Sequence, residues 1–203
     1  MKKIMFNDKY GLTQAVLEGR KTMTRRIVSD GILRMAQMEV RNLGGELEER
    51  IKDHTPYCYM EEIAVAQSYR TLNENGYVAP RHLDAFCEDS AGYTNKMFVR
   101  SDLMPHSICI TDIKVERLQD ISFDDCLREG IEQRKAKWPA YTYHFENSYE
   151  CKKIKKDGTI RLYTGGAYFT AKNAFADLID KVSGSGTWER NPWVFAYEFE
   201  LIK

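Results

Sequence analysis

The segment Gly19-Arg20-Lys21-Thr22-Met23-Thr24-Arg25-Arg26 holds four cations and two hydroxyls in eight residues. Guanidinium groups bind phosphate through two parallel hydrogen bonds, lysine adds a point charge, and threonine hydroxyls donate to the same oxygens. The segment is thus read as an anion-binding or RNA-binding cleft, the competing reading being a solvated charged turn. Trp193 and Tyr69 are the aromatic side chains that could stack on an unpaired base, a contact worth about 1–3 kcal/mol, although such residues more often pack in cores. His106 is a further cleft candidate. Tyr141, Tyr143, Tyr149 and Tyr163, interleaved with Lys152, Lys153, Lys155 and Lys156, form a second candidate RNA surface or a solvated sheet edge. His54, His82 and His144 show no metal-ligand spacing, so neither a structural metal nor a cofactor is expected.

The basic segment needs elements to aim it. Leu12, Ala15 and Val16 share a helical face over about 12–18, and Gly19 is placed to close that helix in a left-handed conformation. Residues 31–53 read as an inserted helical or hairpin excursion. Ile63, Val65, Gln67 and Tyr69 alternate as a strand, and Ser107–Leu118 carries the strongest alternation in the chain. Ser122 heads a short capped helix that Gly130 ends. Asp157-Gly158 sits between two alternating segments as a hairpin turn. Ala171, Ala174, Phe175, Leu178 and Val182 mark an amphipathic helix. The run WVFAYEFELI closes the chain as a strand.

Bulk properties restrict the partners. The 203 residues suit one α+β domain with insertions at about 30–60 and 134–165. Lys and Arg total 30 and so do Asp and Glu, so nucleic-acid binding must come from a local patch. Five scattered cysteines suit reduced thiols in the cytoplasm. No segment reads as a secretion signal or membrane span, so no membrane partner is expected, and the oligomeric state is open.

The helix ending in Leu17-Glu18-Gly19-Arg20-Lys21-Thr22-Met23-Thr24-Arg25-Arg26 resembles the signature of the ASCH family. IKVERLQDISFDDCLREGI, Met104-Pro105-His106 and AFADLIDKVSGSGTWERNPWVFAYEFELI are similar to passages of phage and prophage ASCH-like proteins, in the same order. The resemblance implies a PUA-like mixed β-barrel with flanking helices and an inserted β-hairpin, associated with RNA. In family members that hydrolyse acetylated cytidine it implies a lysine, a threonine and a glutamate acting together. Lys21 and Thr24 fall on the first two positions, and Gln67 stands at the third. Arg20, Arg25 and Arg26 crowd Lys21 so that it sheds its proton more easily, and a neutral amine can deprotonate Thr24. Because an amide cannot transfer a proton at neutral pH, the favoured expectation is an RNA- or modified-nucleoside-binding protein using Arg20, Lys21, Arg25 and Arg26 on phosphate. Thr22, Thr24 and Gln67 complete that candidate set. The alternatives are a nucleoside amidohydrolase or ribonuclease using Lys21 and Thr24, with Glu61, Glu62 or Glu74 as a replacement carboxylate, and a phage-derived protein-interaction module.

Overall fold

The structure, a computed structural model, describes residues 1–77, 90–135, 141–146, 150–154, 160–164 and 168–202. In chain order its elements are β1 (Lys3–Ile4), α1 (Leu12–Leu17), β2 (Met23–Ile27), α2 (Asp30–Leu43), α3 (Leu47–Asp53), β3 (Glu62–Val65), α4 (Tyr69–Glu74), β4 (Ser107–Arg117), α5 (Phe123–Arg128), β5 (Glu132–Lys135), β6 (Tyr141–His144), β7 (Glu150–Ile154), β8 (Ile160–Thr164), α6 (Ala171–Ser183), α7 (Thr187–Arg190) and β9 (Trp193–Leu201).

The alternating run from Ser107 buries Ile108, Ile110 and Ile113 in β4, and the closing run buries Val194 to Tyr197 and then Phe199 in β9. These strands pair antiparallel, from Ile108 opposite Leu201 to Arg117 opposite Trp193. β2 adds to the other side of β9, so the basic segment becomes an edge strand with Thr24 opposite Tyr197 and Arg25 opposite Ala196. The sheet order is β1-β3-β4-β9-β2, with β1 parallel to β3. The α+β class holds, but the expected barrel is corrected to an open five-stranded mixed sheet. β1 contributes two paired residues, too few to continue the ladder from β3 round to β2, and closure requires an unbroken circuit of strands.

α6 lays Ala171, Ala174, Phe175, Leu178 and Ile179 against this core, the stripe that helical periodicity dictates. The excursion after β2 folds as the two helices α2 and α3, burying Ala36 and Ile51. The strand expected through Tyr69 stops at Val65, because the Ser68 hydroxyl accepts from the Thr71 N–H and starts α4. In the 134–165 insertion, β5 pairs with β6 and β7 with β8. The Asp157-Gly158 turn lies outside the described residues, as do Tyr149, Lys155 and Lys156. Among the described residues no helix is long and apolar enough to cross a membrane.

Candidate active site

Two glycine-terminated helices meet at Lys21. After α1, Gly19 takes φ 71°, and its N–H donates to the Val16 carbonyl at 2.9 Å. The Lys21 N–H returns to Ala15 and the Thr22 N–H crosses to the carbonyl of Arg128 at the end of α5. The chain thereby enters β2 with the Lys21 side chain directed inward, 2% exposed. On the facing side Ser122 caps α5 by accepting from the Asp125 N–H, and Gly130, at φ 100°, turns the chain away. Glu129 lies between that helix and that turn, 4% exposed. Lys21 Nζ donates to the Glu129 carbonyl oxygen at 2.8 Å and to its Oε2 at 2.5 Å.

Arg25 holds the same carboxylate from the other side. Its Nη1 donates to Glu129 Oε1 at 3.2 Å, its Nε and Nη2 to Glu116 Oε1 at 2.9 and 2.6 Å, and its Nη2 to Asp125 Oδ2 at 2.9 Å. Burial would lower the Arg25 pKa, but Glu129, Glu116 and Asp125 outweigh it and raise the value. Burial also pushes the Lys21 ammonium below the ordinary lysine value. Glu129 opposes that shift without cancelling it, while Arg26 and Arg25 reinforce it. Burial lowers Arg26 as well, which still keeps its guanidinium proton at any physiological pH.

These groups form the polar floor of a pocket of about 290 Å3. Lys21, Thr24, Arg25, Arg26 and Glu129 share it with Phe6, Leu12 and the α6 residues Phe175, Leu178 and Ile179. Arg26 Nη2 donates to the Met5 carbonyl at 2.6 Å, and its guanidinium lies 5.6 Å from the Phe6 ring centroid. Arg26 Nε is buried with no hydrogen-bond partner. The set offers a hydroxyl, an amine of lowered basicity in contact with a carboxylate, and an unmatched cationic donor, the components of acyl transfer. Among the described residues no three or more His, Cys, Asp or Glu side chains gather as metal ligands.

The other residues singled out from the sequence lie elsewhere. Arg20 pairs with Glu18 and Glu132 on the surface and is absent from the pocket lining. Thr22 Oγ1 accepts from Arg128 Nε. Gln67 is 3% exposed, its N–H directed at Met104 Sδ and its Oε1 buried without a partner, and it is absent from the pocket lining. Tyr69 packs with Leu72 and Val99 in a satellite core. His106 meets the Tyr77 ring edge-on at 5.6 Å. Trp193 lies under the Arg117 guanidinium, 4.4 Å from the ring centroid. Glu61 pairs with Lys2, and Glu62 accepts from the Ser107 hydroxyl. Sequence reasoning missed Glu129; the available signal was its place beside Gly130 at the end of a capped helix, where the turn re-aims a side chain. No protein-family model, no curated protein and no solved structure matches this chain.

Proposed function

We propose that this chain is an ASCH-type amidohydrolase of the PUA-like superfamily that removes an acyl group from the exocyclic amine of a cytosine-type base. The observation that carries the reading is the Glu129 carboxylate, 2.5 Å from Lys21 Nζ in a pocket that Thr24 also lines. Glu129 takes the part for which Gln67 lacked a titratable proton. Thr24 Oγ1 attacks the acyl carbon and passes its proton to the neutral Lys21 amine, while the positive charge of Arg26, which no carboxylate among the described residues pairs, stabilises the charge that develops on the oxygen. Lys21 then protonates the departing amine, the C–N bond breaks, and an ester remains on Thr24. Water, deprotonated by Lys21, attacks that ester, the bond from the acyl carbon to Thr24 Oγ1 breaks, Lys21 returns the proton to Thr24 Oγ1, and the carboxylic acid leaves. Glu129 holds the amine in position and exchanges the proton with it.

Charge balance favours this reading over a phosphate clamp. Lys21 and Arg25 are ion-paired with Glu129, Glu116 and Asp125, and Arg26 brings the three cations level with the three carboxylates, so the pocket suits a neutral ligand more than an RNA backbone. A volume of about 290 Å3 accommodates one base rather than a strand. Incubation with acetylated cytidine or acetylated cytosine, followed by mass spectrometry, should reveal the free amine and acetate. Thr24→Val and Lys21→Met should each lower kcat/KM by roughly 100- to 10,000-fold. Turnover that survives both substitutions would refute the assignment.

A further inference from the structure

The floor and the mouth of the pocket differ in chemistry. Phe6, Lys21, Thr24, Arg25 and Glu129 are buried, whereas Met5, Ile27 and Val182 line the same pocket at 38%, 40% and 39% exposure. A thioether and two branched aliphatic side chains are therefore the exposed apolar groups of the lining, and Asn7, Arg26 and Ser183 are the polar residues of it that are not buried. Large apolar groups left in water around a concave site mark where a ligand's apolar part comes to rest.

Two of the cations of the site do not reach that opening as free charges. Lys21 and Arg25 are bound to buried carboxylates, and Arg26 is drawn to the Met5 carbonyl and over Phe6. Arg20, the remaining cation of the basic segment, is on the outside with Glu18 and Glu132. A ribose at the mouth would set hydroxyls against Met5, Ile27 and Val182, where each hydroxyl that lost its water without a new partner would weaken binding by roughly tenfold or more. A flat heteroaromatic ring loses nothing comparable and gains contact with both the aliphatic rim and Phe175.

We propose that the pocket selects the sugar-free substrate, an N-acylated free base or similar aromatic amide, over its ribosylated forms, the riboside and the nucleotide. The selection rests on the amide-hydrolysing reading for its chemistry, but on the rim alone for its direction. The bonds made and broken are unchanged: water enters, the acyl C–N bond is cleaved, and a carboxylic acid and a heteroaromatic amine leave.

The test uses acetylated cytosine, acetylated cytidine and acetylated cytidine monophosphate. Their kcat/KM values are measured on the intact protein and their Kd values by calorimetry on Thr24→Val. We expect the base to lead both ribosylated compounds by roughly tenfold or more in both quantities. Ile27→Ser combined with Val182→Ser should draw the base-to-riboside ratio toward unity. A riboside that binds and reacts as well as the base, or a ratio unmoved by the two serines, overturns the proposal. Preserved selectivity in Kd with no turnover of any compound would sink the hydrolase reading and leave the selection standing. Equal turnover of all three would do the reverse, and no binding of any would sink both.

Discussion

Glu129 accepts hydrogen bonds from two cations that have almost no access to water: the Lys21 side chain is 2% exposed and that of Arg25 1%. Removing one member of such a buried pair leaves the other charge uncompensated, at a cost of about 3–5 kcal/mol, whereas replacing both members is often neutral. Glu129→Gln should therefore lose about that much stability at neutral pH in a denaturant titration. Lys21→Met combined with Glu129→Gln should recover most of it without recovering activity. The pH dependence has a definite sign. Folded Lys21 lies below its ordinary value of 10.5, so the unfolded chain binds more protons between the two values and stability rises with pH across that window. The deficit of Glu129→Gln should shrink below that window, as Lys21 without its carboxylate sheds its proton at a lower pH than in the parent. Equal deficits in the single and double variants would show that the pair is not coupled. Lys21 and Thr24 were legible in the sequence because the dense basic run drew attention to them. Glu129 was not, since its partner is 108 residues away and nothing local distinguishes a helix-end glutamate aimed inward from one in solvent. Arg25 was read as a ligand for phosphate; three carboxylates contributed by β4 and by the α5 segment engage it instead.

At the scale of elements, the site depends on how α1 and α5 end. Both ends were visible as Gly19 and Gly130, and both glycines adopt positive φ. Gly130 has the stricter requirement. Its φ of 100° disfavours any side chain, and an added Cβ would stand 3.4 Å from Leu12 Cδ2 and 3.7 Å from Lys21 Cδ, in ordinary contact. The penalty for Gly130→Ala is thus conformational rather than steric, about 1–2 kcal/mol. Relief of that strain would rotate Glu129 away from Lys21, so activity should fall further than the modest drop in the thermal midpoint suggests. An alanine variant with unchanged kcat/KM would detach the Gly130 turn from catalysis. Alternation located β4 and β9 within a residue or two, because period-two burial is recorded directly in residue type. It could not decide between barrel and open sheet, since closure depends on the pairing of edges, and β1 is only two residues long. The same alternation carried the strand reading past Val65 onto Gln67 and Tyr69, where the Ser68 cap redirects the chain into α4.

Across the whole molecule, equal numbers of acids and bases leave no net field, yet they are arranged so that the sheet holds the helix carrying Glu129. Glu198, on β9 between β4 and the edge strand β2, accepts from Arg128 Nη1 at 2.9 Å and from Lys114 Nζ at 3.2 Å. Arg128 is the last residue of α5, and its Nε also donates to Thr22 Oγ1 beside β2, so one carboxylate ties β4, β9, β2 and α5 together. The hydrogen bond from Arg128, with that from Lys114, holds the Glu198 carboxyl down at about 2 against an ordinary 4.5. A depressed carboxylate stabilises the fold fully above the unfolded value and loses that contribution as pH falls through the folded one, here between about 4.5 and about 2. The contribution is on the order of 3 kcal/mol, and the side chain is 21% exposed, so solvent screening reduces it only in part. Glu198→Gln should accordingly be less stable than the parent chain at neutral pH, with the two converging as pH falls toward 2 in urea titrations followed by circular dichroism. Parallel pH profiles for the two proteins would place the acid sensitivity elsewhere.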